Sequence, residues 1–109
     1  MPNRTELLQG TLDLLILKTL RLGALHGWGI SKRVRQLSND VLQINQGSLY
    51  PALYRLEERE LIEAEWGTSP EGRKAKFYTL TEKGRAHLAN ERASWRAFSG
   101  AVEAVLRAT

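Results

Sequence analysis

One short stretch of the chain concentrates side chains that donate and accept hydrogen bonds. Leu49, Leu53 and Leu56 recur there at helical spacing. The remaining surface carries amide, hydroxyl and guanidinium groups, from Asn45, Gln46, Ser48, Tyr50, Tyr54 and Arg55. A helix with this pattern buries its leucines and exposes its polar groups. Such groups hydrogen-bond to base edges in a DNA major groove, so the stretch predicts a helix that can read DNA.

Basic residues recur on both sides of this stretch. Lys32 and Arg33 precede it, close to Trp28, and the second group is Arg73, Lys74 and Lys76. Between residues 56 and 65 the charge is reversed, with five acids against Arg59. Segregated charge of this kind makes a basic face although the formal net charge is only +4. We expect these cations and Trp28 to contact double-stranded DNA together with the polar helix.

Catalytic chemistry is not indicated. His26 and His87 stand on different predicted elements, and neither has a second strong metal ligand at a suitable spacing. The chain has no cysteine and no glycine-rich phosphate loop. Ser48 and Thr81 have no evident base partner. We therefore predict that the protein is not an enzyme and holds no metal or cofactor.

The length and composition indicate one globular domain. The chain has 109 residues, of which 42% are hydrophobic and 26% charged. No apolar run is long enough to span a bilayer, and the N-terminus lacks a signal-peptide pattern. We expect no membrane partner and a cytoplasmic location, which the absence of cysteine suits.

Periodicity predicts four helices and a hairpin. The helices cover residues 7–22, 28–38, 46–60 and 82–107, with Asn45 and Thr81 as N-caps of the last two. Strands at 62–66 and 76–80 flank a polar loop, as in a β-hairpin. Pro51 is unfavourable inside the third helix, so either that helix begins nearer Ser48 or its start is bent.

This order is that of a winged helix-turn-helix, in which a helix enters the major groove and a hairpin wing lies beside it. The fold class is mainly α with a small β-hairpin (α+β). We assign residues 1–81 to a DNA-binding domain and residues 82–109 to a C-terminal dimerisation helix in the same compact domain. The first helix is apolar over most of its circumference and the last has a narrow seam, which favours a homodimer. Its predicted contacts are Leu8, Leu12, Leu15, Leu88, Trp95, Phe98, Val102 and Val105.

Four segments together resemble the PadR family of bacterial transcriptional regulators. They are residues 8–15 (LQGTLDLL), 26–30 (HGWGI), 47–57 (GSLYPALYRLE) and 76–84 (KFYTLTEKG), and the third is the most distinctive. The match covers nearly the whole chain. It departs from the family at Trp28, where a tyrosine usually stands between the two glycines, so an indole N–H replaces a phenol.

The resemblance implies a homodimer that binds a pseudo-palindromic operator, often as a repressor, and that responds to small aromatic compounds. The single C-terminal helix places the chain in the short branch of the family. Trp95 is placed like a tryptophan that lines a pocket at the dimer interface in multidrug-responsive members, so it is a candidate ligand contact. Dimer packing alone is the alternative for Trp95. The alternative function for the chain is a winged-helix module for protein interaction, without sequence-specific DNA binding.

Overall fold

The computed structural model describes residues 9–109, which form four helices and a three-stranded sheet. The chain order is α1 (Gln9–Arg21), β1 (Leu25–His26), α2 (Gly27–Leu37), α3 (Gln46–Glu58), β2 (Ile62–Thr68), β3 (Lys74–Leu80) and α4 (Glu82–Arg107). No helix in this part of the chain is long and apolar enough to cross a membrane. Leu8, a predicted dimer contact, lies outside the described residues.

The core is built where α1 and α3 pack together under the sheet. Helix α3 buries Leu49, Ala52, Leu53 and Leu56, which is the apolar stripe expected from their spacing. Helix α1 adds a second stripe that includes Ile16 and Leu17, both completely buried. Helix α1 packs against the side of α3 that is opposite the polar groups of α3. The core therefore holds α3 with those polar groups directed outward.

The sheet is larger than the sequence pattern indicates. Its strand order is β1-β3-β2, with both pairs antiparallel. Strands β2 and β3 pair from Ile62 opposite Leu80 to Thr68 opposite Lys74, so the hairpin strands extend beyond the predicted bounds. The two-residue strand β1 has too few residues to produce a periodic pattern, and the prediction lacked it.

Side-chain caps fix the starts of the last three helices. His26 caps α2, and its Nδ1 accepts a hydrogen bond from the Gly29 N–H at 2.9 Å. Asn45 caps α3 and Thr81 caps α4, as predicted. Helix α3 begins at Gln46 with Pro51 inside it, which excludes the alternative of a start nearer Ser48.

The C-terminal end of α3 is tied to the start of α4. Glu60 adopts a left-handed φ of 63°, which ends the helix two residues earlier than predicted. Its carbonyl accepts a hydrogen bond from the Thr81 hydroxyl at 2.7 Å. Gly84 lies so close to the Leu61 carbonyl that a Cβ there would collide with it. This contact makes glycine necessary in the first turn of α4.

The first and second halves of α4 differ in their packing. Gly84 and Leu88 are buried against the rest of the chain, with Leu88 2% exposed. From residue 92 onward every side chain is exposed except Ser99, which is half-buried. The helix spans 26 residues, or about 39 Å, so a large part of it is not covered by any of residues 9–109.

Two predicted dimer contacts, Leu12 and Leu88, lie in the core of this chain. Leu12 is 3% exposed and Leu88 is 2% exposed, and both pack in the central apolar cluster. Helical spacing places them on the same stripes as the interface candidates. Only the packing of α1 against α4 separates residues that are covered within the protomer from those that are not.

Candidate nucleic-acid interface

A cleft of about 910 Å³ lies between the N-terminus of α2, helix α3 and the hairpin of β2 and β3, which we call the wing. Aromatic side chains make up much of its lining, and basic residues of the wing border it. The lining residues are His26, Gly27, Trp28, Tyr50, Tyr54, Glu57, Trp66, Ser69, Glu71, Arg73, Lys74, Ala75, Lys76 and Tyr78. The three predicted elements of a DNA-contacting face therefore meet at one site.

Tyr50 is placed by a glycine on the neighbouring helix. A Cβ at Gly27 would lie 2.6 Å from the Tyr50 hydroxyl oxygen, so the ring packs directly against the backbone of α2. About half of the tyrosine side chain remains exposed toward the cleft. The glycine before Trp28 and the tyrosine of the GSLYPAL segment thus form one contact, which fixes α2 against α3.

Trp28 lies in the first turn of α2, where its side chain is 54% exposed. The Lys32 ammonium is 5.0 Å from the centre of the Trp28 ring, within cation–π range. His26 caps the helix and also contacts Phe77 of β3, with ring centres 5.3 Å apart. The cap therefore connects the start of α2 to the wing.

The wing carries the second exposed tryptophan of the cleft. Trp66 on β2 is 62% exposed, and the Lys74 ammonium of β3 lies 5.6 Å from its ring centre. The turn between the strands is closed by Ser69, whose backbone N–H bonds to the Arg73 carbonyl at 2.7 Å. Arg73 stands in this turn, while Lys74 and Lys76 stand on β3 rather than in the loop.

Three ionisable groups that line the cleft lie close together. The Lys76 ammonium lies 3.9 Å from the Glu57 carboxylate. Burial raises the pKa of the Tyr78 phenol, and the Glu57 carboxylate raises it further. The phenol of Tyr78 therefore stays protonated at neutral pH and can donate a hydrogen bond.

Most of the predicted DNA contacts are exposed on this face or next to it. Asn45, Gln46 and Ser48 are exposed at the N-terminal end of α3, although the Asn45 side chain is engaged as the cap. Tyr54 is exposed one turn after Tyr50. Arg33 is half-buried and does not line the cleft.

Arg55, a predicted DNA contact, does not line the cleft. Its guanidinium faces α1, where Nη2 donates to the Asp13 carboxylate at 3.4 Å. Its Nε is buried, with no hydrogen-bond partner in the part of the chain that the structure describes. Burial raises the pKa of Asp13, while the charge of Arg55 lowers it in part. Helical spacing placed Arg55 near the polar face, but a carboxylate 42 positions earlier in the chain pulls it inward.

Sequence reasoning did not assign several of the cleft residues to the site, Trp66 and His26 among them. Trp66 fits the alternating apolar pattern of a half-buried strand, and that pattern predicts packing. In the structure the burial of β2 falls off along the strand from Ile62, and Trp66 is exposed. The Lys-rich strand opposite Trp66 was the available signal.

The other predicted interface lies on α4. Trp95, Phe98, Val102 and Val105 are exposed, and the rings of Trp95 and Phe98 are 6.1 Å apart between centres. On α1, Leu15 is half-buried. Among residues 9–109, no three potential metal ligands cluster.

Comparison with known proteins identifies the kind of protein that has this architecture. The model of the "Transcriptional regulator PadR-like family" matches residues 16–90. An uncharacterised protein X of Lysinibacillus sphaericus is 34% identical over 92 residues, which is 84% of this chain and 84% of that protein. The structure of a PadR-like transcriptional regulator from Bacillus cereus has a TM-score of 0.78 at 29% identity, covering 93% of this chain and 96% of that chain.

A PadR family transcription regulator from Clostridium difficile has a TM-score of 0.75 at 30% identity, over 87% of this chain and 97% of that chain. These likenesses confirm the resemblance drawn from the four sequence segments. They also confirm the winged-helix fold class.

Proposed function

Because the chain belongs to the PadR-like transcriptional regulator family, it is a DNA-binding regulator and not an enzyme, and we propose that it acts as a homodimeric repressor of a pseudo-palindromic operator. The proposal is supported by the presence of two distinct exposed surfaces on one chain. One is the polar and basic face around the cleft, and the other is the exposed apolar stripe of α4.

In this proposal the N-terminal half of α3 enters the major groove. Gln46, Ser48 and Tyr50 reach base edges or the neighbouring phosphates, with Tyr54 beside them. Asn45 contributes mainly by capping the helix. The positive end of the α3 helix dipole also favours an anionic phosphate there.

The wing and α2 contact the backbone on either side. Arg73, Lys74 and Lys76 supply positive charge from the wing, and Lys32 and Arg33 supply it from α2. Trp28 packs along the sugar-phosphate backbone, where its indole N–H can donate to a phosphate. Arg55 is not included because it is paired with Asp13.

The homodimer forms through α4. Trp95, Phe98, Val102 and Val105 would be covered by the second copy, with Leu15 of α1 at the edge of the contact. A two-fold axis between two recognition helices accounts for a pseudo-palindromic operator. A small aromatic ligand that stacks on Trp95 in this interface would alter the spacing of the two helices and release the DNA.

Two substitutions test the DNA contacts. Genomic fragments bound by the purified protein supply the operator, and gel shifts then compare Tyr50→Ala and Arg73→Ala with the unchanged chain. We expect Tyr50→Ala to weaken binding by about tenfold, because a helix contact worth roughly 1–3 kcal/mol is removed. Arg73→Ala should also lower the slope of log affinity against log salt by about 0.9, since one phosphate contact is lost.

Arg107→Ala is the matched control for charge. Arg107 is exposed at the far end of α4 and pairs with Glu103 on its own helix. It should leave the affinity and the salt slope unchanged. Equal behaviour of Arg73→Ala and Arg107→Ala would contradict the assignment of the wing to DNA, and sedimentation would establish that each variant remains a dimer.

A further inference from the structure

Four aromatic side chains are exposed together in the cleft. Trp28, Tyr50, Tyr54 and Trp66 all line it, and each is between 48% and 64% exposed. Large apolar side chains clustered in one concave surface mark a binding site. The volume of about 910 Å³ is within the range of small-molecule sites, about 300–1,000 Å³.

Duplex DNA hides the faces of its bases from these rings. Its bases are stacked on one another inside the helix, and a protein meets only their edges and the charged backbone. An unpaired base presents its flat π-surface, which stacks on tryptophan and tyrosine. The aromatic walls therefore match an unpaired base better than a paired one.

The rim of the cleft carries groups that can bind the phosphate and the sugar of a nucleotide. Arg73 and Lys74 border the cleft beside Trp66, and the Lys74 ammonium is 5.6 Å from the centre of that ring. A cation next to a stacking surface is the arrangement that binds a phosphate attached to a base. Glu57, Glu71 and Ser69 also line the cleft, and their oxygens can accept hydrogen bonds from amino groups or sugar hydroxyls.

We propose that this cleft is a binding site for an unpaired nucleotide, with the base stacked on Trp66 and its neighbours and the phosphate held by Arg73 and Lys74. Occupation by a free nucleotide excludes the operator, because both use the same face. This exclusion rests on the proposed function, whereas nucleotide binding itself does not. The site is separate from α4, so it requires no change in the dimer.

The direct test is titration of the DNA-free protein with GMP, followed by calorimetry and by tryptophan fluorescence. Guanosine lacks the phosphate and ribose 5-phosphate lacks the base. Each should bind at least about tenfold more weakly than GMP, since one of the two contacts is missing. A single-stranded oligonucleotide in a parallel titration distinguishes a free nucleotide from an unpaired nucleotide in a strand.

Matched substitutions locate the site. Trp66→Leu should weaken GMP binding about tenfold, the loss expected when one stacking ring is removed. Lys74→Gln should weaken GMP but leave guanosine unchanged. Leu37→Ala shortens an exposed apolar side chain outside the cleft and should leave GMP binding unaltered. Thermal unfolding of each variant checks its fold, and Trp28→Leu provides a second test of the aromatic wall.

The outcomes are distinct. Binding of GMP with the expected losses supports the site and identifies a free nucleotide as its ligand, and binding of the single strand alone supports the site for a strand. Absence of both overturns the proposal, as does unchanged GMP binding in Trp66→Leu. If GMP binds the operator complex as well as the free protein, the exclusion is wrong. Failure of operator binding alone contradicts the proposed function and leaves the GMP titration interpretable.

Discussion

The cleft and the second half of α4 both expose aromatic side chains, but their surroundings differ. In the cleft, Trp28 and Trp66 each have a lysine ammonium within cation–π range, and carboxylates line the same space. Along α4, the neighbours of Trp95 on its stripe are Phe98 and Val102. Aromatic rings next to cations suit a polyanion, whereas a purely apolar stripe suits a second copy of itself.

The two regions also differ in how firmly they are placed. Tyr50 rests on the backbone of Gly27, and the wing is joined to α2 through the pairing of β1 with β3. The second half of α4 has no such contacts among the described residues. A surface that must read a rigid duplex needs preorganised side chains, while an interface helix can gain its order from its partner.

The largest effect is expected from a charge placed in the exposed apolar stripe of α4. In Phe98→Glu, an unpaired carboxylate would be buried at the proposed interface at a cost of at least about 3 kcal/mol, or about 100-fold in the dimer dissociation constant. Sedimentation equilibrium measures this constant. Ala93→Glu is the control, because Ala93 lies on the opposite side of the helix from Val102 and is exposed. An unchanged dimer in Phe98→Glu would remove the stripe from the interface.

The same glycine substitution in the two halves of α4 should have opposite effects. Gly84→Ala forces a Cβ against the Leu61 carbonyl and should destabilise the fold by about 1–3 kcal/mol. Gly100→Ala meets open space within the chain and should stabilise the helix by about 0.5–1 kcal/mol. Urea unfolding measures both. A loss of stability in Gly100→Ala would indicate that a partner helix approaches there.

The smallest expected effect concerns the ion pair between Asp13 of α1 and Arg55 of α3. Because burial holds the pKa of Asp13 above its ordinary value of 3.8, the folded state binds its proton more tightly than the unfolded state does. Protonation of Asp13 therefore adds to the free energy of unfolding. This contribution is complete below the ordinary pKa and is lost as the pH rises through the pKa of the folded state. At neutral pH the ionised carboxylate therefore opposes folding, although Arg55 offsets part of this.

Asp13→Asn should consequently flatten the dependence of unfolding free energy on pH in this acidic range. Asp40→Asn is the control, since Asp40 pairs with Arg35 at an exposed position. Denaturant unfolding between about pH 3 and 6 compares the two. An identical pH profile in Asp13→Asn and the unchanged chain would contradict the raised pKa.

The helices, two of their caps and the protein family could all be predicted from the sequence alone. Helical spacing gave α1 to α4, with Asn45 and Thr81 correctly identified as caps, because hydrophobic periodicity and capping are local. The GSLYPAL segment indicated the family. It also placed Tyr50 on α3. The spacing of residues along a helix indicates which face each side chain occupies, because side-chain direction follows the 3.6-residue repeat.

Tertiary structure alone decided which members of each pattern stay exposed. Leu12 and Leu88 belong to the core, Arg55 turns inward to Asp13, and Trp66 faces the cleft. Each of these outcomes depends on a partner distant in sequence, and periodicity gives a residue's face but not what covers that face. The cleft itself follows from the packing of α2, α3 and the wing against one another, because no single element contains it.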